Sequence, residues 1–496
     1  VMYGRRDVLR AGAQITAGGM AAGLVGAASA EARPWDPAEP AAWSRLQKSL
    51  SPRASLYRPG DPEYARLAPP WNMRYDHLLP AGVVVCADRR DVQAALRWAA
   101  EHGMPLTPRS GGHNYAGHST TSGLLVSLRR LRHVTADGRR LWVGGGATNS
   151  DVFQAGSTRT GLYFPGGRCM GVGVAGLTLG GGLGFNDRKW GLTCDRLVAT
   201  EVVLADGTVV RADAAENADL YWACRGGAGG NFGINTGFLF EAVDVSRTVA
   251  TVFDLVFELR HAAALLEIVQ EILQRDVAGN FDIRFGMINH GDGRTAVTML
   301  GQYLGDETTT LRLLAPLLAY RPSRQVIRQD GFWQAQGYLS EGDEREAMAS
   351  RSLVPGRWLD RATVEAVAER IRTWRPEGRG NTVYVTLFAM GGATATVDPH
   401  ETAFPHRDAT FVIDVGTAWR PATTTEGVRS LLAQTRALHT LLRTRLGTNA
   451  AYVNFPDPEM TDWRTAYYGA NYRRLIQVKR RYDPRNVFRH PQAVGS

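Results

Sequence analysis

A chain of 496 residues holds two to three domains, each able to bury its own core. With 44% hydrophobic and 21% charged residues it is neither a disordered nor a polytopic membrane protein. Lys plus Arg exceeds Asp plus Glu by 57 to 48, but the arginines are scattered and form no stripe for nucleic acid; glycine, at 55 residues, is well above the usual ~7%.

The N-terminus reads Gly4-Arg5-Arg6-Asp7-Val8-Leu9, then an uncharged Ala/Gly-rich stretch from Ala11 to Ala28 that ends in Ala28-Ser29-Ala30. This is the pattern of a twin-arginine export signal with its cleavage site, over residues 1–30. Gly and Ala supply too little transfer free energy for stable membrane insertion. Residues 31–70 read as a linker and N-terminal segment, with proline concentrated between Pro34 and Pro40 and a short helix from Trp43 to Leu50. None of Cys86, Cys169, Cys194 and Cys224 forms a C-x-x-C pair, so no metal site is expected; a disulfide among Cys86, Cys194 and Cys224 stays open.

Residues 71–250 carry the glycine. Ala81 to Cys86 reads as a strand, Val92, Leu96, Ala99 and Ala100 as a helix face closed by Gly103, and Pro105 to Arg109 as a short strand. The loop Ser110 to Ser119 follows, then strands at Leu124 to Leu128 and Arg140 to Val143. This is an α+β opening. Gly166 to Gly184 is too apolar for a flexible linker and too glycine-rich for a helix, which implies backbone lying against a flat or phosphorylated ligand. Arg225 to Gly233 is a second such patch, and Val202 to Val210 between them is a hairpin turning at Asp206-Gly207.

Residues 251–450 differ in character. Helical patterns at Ala262 to Gln274, Thr308 to Leu318, Thr363 to Thr373 and Thr425 to Leu446 alternate with strands at Ala296 to Leu300, Val383 to Met390 and Thr410 to Val415. They predict an antiparallel sheet backed by helices. The aromatic, basic segment 451–496 is expected to return to the first domain.

Five ordered motifs carry the chemistry: R-S-G-G-H-N-Y-A-G-H-S at 109–119, P-G-G-R-C at 165–169 running into G-L-T-L-G-G-G-L-G at 176–184, D-L-Y-W-A-C-R-G-G-A-G-G-N-F-G-I at 219–234, Y-V-N-F-P-D at 452–457, and the run 467–488. No acidic residue stands where a Rossmann fingerprint needs one, so NAD is not expected. Together the motifs resemble the berberine-bridge-enzyme-like FAD oxidases of the vanillyl-alcohol-oxidase type, as a bacterial exported member. The resemblance implies an α+β fold, with a PCMH-type FAD-binding domain of two subdomains and a separate substrate domain.

It also implies that His113 is bonded to the 8α carbon of the flavin and Cys169 to C6, and that Val172 sits at the dioxygen gate in its permissive form. Arg109, Ser110, Gly111, Gly112, Asn114 and Ser119 suit the pyrophosphate; Gly171, Gly176, Gly180, Gly181, Gly182, Gly184, Gly233, Ile234 and Asn454 suit close approach to the rest of the cofactor. Leu177 stands where many relatives have a histidine, and Phe455 where many have the tyrosine that removes the substrate's proton.

A phenyl ring accepts no proton. Tyr452, the nearest tyrosine, faces the other way on an extended strand, which makes Asp414 and Tyr384, on substrate-domain strands, the better candidates. Each is as readily a salt-bridged acid or a core aromatic as a catalytic group. The expected function is oxidation of a hydroxyl-bearing carbon of a sugar or secondary metabolite, with hydride passing to flavin N5 and dioxygen leaving as hydrogen peroxide. The alternatives are a dehydrogenase with another acceptor and a flavin-containing binding protein.

Overall fold

The computed structural model describes residues 40–496; the expected export signal and most of the proline-rich linker fall on residues outside them. The fold is α+β, and its sheets fall into two halves with a long cavity between them.

The first half opens with a four-stranded sheet ordered Ser55–Tyr57, Gly82–Val85, Leu124–Ser127, Leu106–Arg109, the last three parallel. The crossover helix Arg89–Glu101 starts because Asp88 accepts hydrogen bonds from the Arg90 and Asp91 amides while Asp91 accepts from the Asp88 amide. It buries Val92, Leu96 and Trp98, and the chain turns at Gly103, whose φ is +59°. A five-stranded antiparallel sheet follows, ordered Val134–Asp137, Arg140–Gly144, Ile234–Glu241, Leu197–Val203, Val209–Asp213. Its last hairpin turns at Asp206-Gly207, with Gly207 at φ +86° and Asp206 accepting from the Thr208 amide.

The second half is a seven-stranded antiparallel sheet in the order Arg324–Gly331, Val249–Glu258, Thr295–Tyr303, Phe281–Asn289, Thr382–Ala389, Phe411–Trp419, Ala347–Leu353. Alternation assigns its faces. Phe285, Met287, Val385, Leu387, Ile413 and Val415 join the core under the helices Ala262–Arg275, Glu307–Leu318, Arg361–Arg372 and Thr425–Leu446. Their neighbours Arg284, Gly286, Tyr384, Thr386 and Asp414 face the cavity. Four of the seven strands (249–258, 281–289, 324–331 and 347–353) are absent from the sequence reading. Polar residues such as Asp254, Asp282, Arg284, Arg328 and Ser350 stand where an apolar run was sought, and they occupy the non-core face.

The segment after residue 450 packs on the first half. Trp463, Tyr467 and Tyr468 of the helix Trp463–Tyr468, and Leu475 and Val478 of the helix Tyr472–Tyr482, share a core with Trp222, Phe232 and Phe238. Lys479 fixes this packing: its ammonium donates to the Asn231 carbonyl and pairs with Asp483 at 2.6 Å.

Two local expectations are corrected. Val174–Leu179, inside the glycine cluster, is a six-residue helix, started by Gly173 in an extended conformation. Tyr452 to Phe455 is a turn rather than a strand, with the Phe455 amide donating to the Tyr452 carbonyl at 3.0 Å, so the two rings meet edge to face instead of pointing apart. Cys86, Cys194 and Cys224 are buried free thiols, and burial raises the pKa of each, that of Cys224 to about 11. They form no disulfide.

Candidate active site

The cavity, about 470 Å³, runs between the glycine loops and the open face of the seven-stranded sheet. Its first wall is backbone. A Cβ on Gly111 would stand 2.3 Å from the Gly173 amide nitrogen, and one on Gly173 would stand 2.3 Å from the Gly111 amide nitrogen and from Ser110 Oγ. Only two glycines let these loops touch. That contact places the loop carrying His113 against the loop carrying Cys169, and both side chains line the cavity.

His113 Nε2 lies 2.7 Å from Asp343 Oδ1, and its ring stacks on Trp71 with centroids 4.8 Å apart. Cys169 Sγ donates to Glu341 Oε2 at 3.0 Å, and the other oxygen of Glu341 pairs with Arg168. Asn149 holds the Cys169 carbonyl at 2.9 Å. Val172 lines the cavity beside them.

The remaining residues expected at the cofactor divide into two sets. Ser110, Gly112, Ser119, Gly176, Gly184, Gly233 and Ile234 line the cavity. Gly180, Gly181 and Gly182 do not: Gly180 and Gly182 make room for Asn454 and Thr193, Gly181 lies near Phe404, and the Gly182 amide donates to Tyr452 Oη. Gly171 is needed beneath the Asp343 carboxyl, where a Cβ would overlap it at 1.9 Å.

Arg109 borders the cavity, but its guanidinium is held by the carbonyls of Leu67, Pro69 and Ser119. Burial pushes its pKa down to about 10. Asn114 caps its own loop by accepting from the Ala116 and His118 amides. Asn454 reaches the cavity while donating to the Leu177 carbonyl and to Tyr452 Oη.

Tyr452 borders the cavity, but its surroundings suit a brace better than a proton acceptor. It is 1% exposed, its oxygen accepts from Gly182 and Asn454, and burial raises its pKa, so it stays a protonated brace. Asp414 and Tyr384 are brought together on the sheet's open face. Tyr384 pairs with Gly416 across the strands, and the missing side chain leaves room for its ring: a Cβ there would be 2.2 Å from the phenol oxygen. Ser350, opposite Gly416 on the other side, donates to Asp414 Oδ1. Asp414 is 3% exposed.

Several cavity residues escaped the sequence reading. Tyr115 and Phe388 form an aromatic wall with Phe455, which the sequence had already marked; Tyr115 stacks on Phe455 with centroids 5.6 Å apart, Phe388 meets Phe455 at 5.3 Å, and Trp71 packs against Tyr115 at 6.3 Å. Arg284, 5% exposed, reaches the cavity, lies over Phe185 and Phe388, and pairs with Asp282 at 2.9 Å. Behind it, burial pushes the carboxyls of Asp282 and Asp187 up, and the guanidinium opposes that rise. Tyr115 could have been found as the residue two after His113; Phe388 and Arg284 depend on sheet register.

FAD fits these residues. Ser110 Oγ and Arg109 Nη2 are buried with no hydrogen-bond partner among the described residues, and the Gly111–Gly173 contact and the patch Ala228 to Gly230 form a cradle that side chains would fill. The FAD binding domain family matches residues 80–213, and the berberine and berberine-like family matches residues 451–495. An uncharacterised FAD-linked oxidoreductase of Bacillus subtilis, YgaK, is 32% identical over 447 residues, 88% of this chain and 95% of that protein. Berberine-bridge-enzyme-like 1 of Physcomitrella patens superposes with a TM-score of 0.81 at 28% identity, covering 91% of this chain and 98% of its own. The xylooligosaccharide oxidase of Myceliophthora thermophila C1, solved with xylobiose, gives 0.80 at 26%, covering 92% and 99%. Fold and site thus define an FAD-linked oxidoreductase. The chain belongs to the berberine-bridge-enzyme-like family of these enzymes.

Proposed function

We propose that the protein is an oxidase that takes two electrons from a hydroxyl-bearing carbon of a sugar or secondary metabolite and passes them to dioxygen, releasing hydrogen peroxide. One observation carries this reading: a nearly unexposed carboxylate, Asp414, on the sheet face that roofs the cavity, oriented by Ser350 and flanked by Tyr384. The bound FAD supplies the two-electron acceptor. Asp414 accepts the proton of the substrate hydroxyl, while Ser350 holds the carboxylate in register. Tyr115, Phe388 and Phe455 give the substrate a flat apolar wall and exclude water. Pyranose rings and aromatic rings both stack on such a surface.

His113 and Cys169 anchor the cofactor at its 8α and C6 carbons in this reading. Support comes from the two nucleophiles lining one cavity on loops locked together by Gly111 and Gly173. Val172, a small residue beside Cys169, leaves dioxygen a way in. Export through the Arg5-Arg6 signal belongs to the same proposal, and the N-terminal sequence of the protein recovered from culture medium tests it.

The deciding experiment offers the purified protein oligosaccharides and aromatic alcohols, and follows peroxide release beside reduction of an artificial dye. Peroxide produced in step with substrate loss supports the oxidase. Dye reduction without peroxide assigns a dehydrogenase, and a flavin that no substrate bleaches overturns the substrate class.

A further inference from the structure

We propose that covalent attachment of the cofactor uses Glu341 as the base that takes the proton of Cys169 and Asp343 as a positioning residue that sets the tautomer of His113. The proposal rests on the two-point attachment above and deepens it. Both carboxylates belong to the loop 340–346, which joins the helix Phe332–Leu339 to the strand Ala347–Leu353 and crosses from the substrate half to the cofactor half.

The backbone of this loop is pinned around the cysteine. The Glu341 amide donates to the Arg168 carbonyl at 3.0 Å, and the Met170 amide donates to the Glu341 carbonyl at 3.2 Å. Cys169 lies between those two contacts, so the Glu341 side chain meets the thiol in a fixed register. One oxygen accepts the S–H at 3.0 Å; the other is held by Arg168. An ion pair alone would satisfy Glu341 at the surface. Here its side chain is only 12% exposed and aimed at the thiol.

Asp343 makes the matching contact two residues on. Its Oδ1 lies 2.7 Å from His113 Nε2, and its carboxyl occupies the space that Gly171 leaves open. A carboxylate at Nε2 keeps hydrogen on that nitrogen and the lone pair on Nδ1, which makes Nδ1 the nucleophile. Asp343 does not itself line the cavity, so it acts through the histidine.

The attachment balances with dioxygen as oxidant. Cys169 gives up its thiol hydrogen, His113 bonds through the Nδ1 lone pair and gives up the hydrogen on Nε2 towards Asp343, and each bonded carbon loses one hydrogen. For each S–C or N–C bond formed, two electrons and two protons leave on one dioxygen as hydrogen peroxide. Glu341 receives the thiol proton first, because the thiolate and not the thiol is the nucleophile.

The test expresses the full chain as wild type, Glu341→Gln, Glu341→Asp and Asp343→Asn. It measures flavin retained by the acid-precipitated protein and the masses of the peptides carrying residues 113 and 169. Glu341→Gln should keep the histidine bond and form the cysteine bond roughly 100-fold more slowly at pH 7, the scale of a lost general base. Incubation of that variant in air with FAD at pH 9 should restore the cysteine bond, since solvent then removes the thiol proton, and Glu341→Asp should restore part of it at pH 7. Asp343→Asn should deplete the histidine bond while sparing the cysteine bond. Both bonds complete in Glu341→Gln and Asp343→Asn overturn the proposal and leave the attachment reading standing. Loss of both bonds together with a lowered melting temperature, without recovery at pH 9, also overturns it by assigning the loop a structural role. Flavin released by acid from the wild type overturns the attachment reading and this proposal with it.

Discussion

The glycine loops and the seven-stranded sheet build opposite walls of one cavity by opposite means. In the loops the chain makes shape by omission: Gly111 and Gly173 approach until no Cβ fits, and nucleophiles arrive on the resulting edge. In the sheet it makes shape by alternation, sending Leu387, Ile413 and Val415 into the helical core and Tyr384, Thr386 and Asp414 towards the cavity. The loop wall therefore tolerates no added carbon at the contact, whereas the sheet wall accepts changes on its open face and converts them into changes of chemistry.

The largest effect is expected where omission is violated. Gly173→Ala should yield no folded protein retaining flavin, as read by the ratio of visible to ultraviolet absorbance and by thermal melting, because its Cβ collides with backbone that cannot move aside. Gly176→Ala is the matched control, since no polypeptide atom lies within 4 Å of its added Cβ. It should melt close to wild type when stripped of flavin and hold FAD less tightly. A Gly173→Ala protein that melts like wild type would erase the distinction between the two walls.

On the sheet, Asp414→Asn should leave flavin content and melting unchanged while turnover falls by about 10²–10⁴. Ser350→Ala, which leaves the carboxylate in place and removes the Ser350 hydroxyl, should cost less. If Tyr384→Phe abolishes turnover while Asp414→Asn retains it, the proton acceptor moves to the phenol.

A smaller effect concerns stability and pH. Burial lowers the pKa of His406 and His439 to about 4, below the ordinary 6.5, so each is neutral in the folded state and protonates in the unfolded chain first. Their contribution is present in full above pH 6.5 and is lost as pH falls towards 4, a few kcal/mol between them. Melting temperatures from pH 7.5 to 4.5 should decline along that window, and His439→Gln should flatten the decline. The smallest effect is expected from Phe455→Tyr, which should leave turnover in the same order of magnitude if the proposed acceptor, Asp414 on the sheet, takes the proton.

Much of the first half was legible in the sequence because its signals are local. The Asp88 cap, the Asp206-Gly207 turn and the glycine clusters act within a few residues, and the motif order pointed to FAD before any fold was known. The helices of the second half were equally plain, since 3.6-residue periodicity needs no partner. Half-polar strands such as Phe281–Asn289 were not, because Asp282 and Arg284 are intelligible only once their face is known to border a cavity. The same holds for Gly180, Gly181 and Gly182, which resemble cofactor glycines in sequence and in space support the turn 452–454.

The sequence by itself determined which residue types could carry the reaction: a histidine and a cysteine in glycine loops, an aspartate in an apolar strand, and no tyrosine at position 455. Only the tertiary structure decided their company. Gly416 admits the Tyr384 ring beside Asp414, Tyr452 is spent as a brace, and an acidic loop from the other half meets both nucleophiles. The reason is range. Turns, caps and helical faces are set by neighbours in the chain, whereas proton transfer depends on groups a few ångströms apart in space whose codons lie hundreds of residues apart.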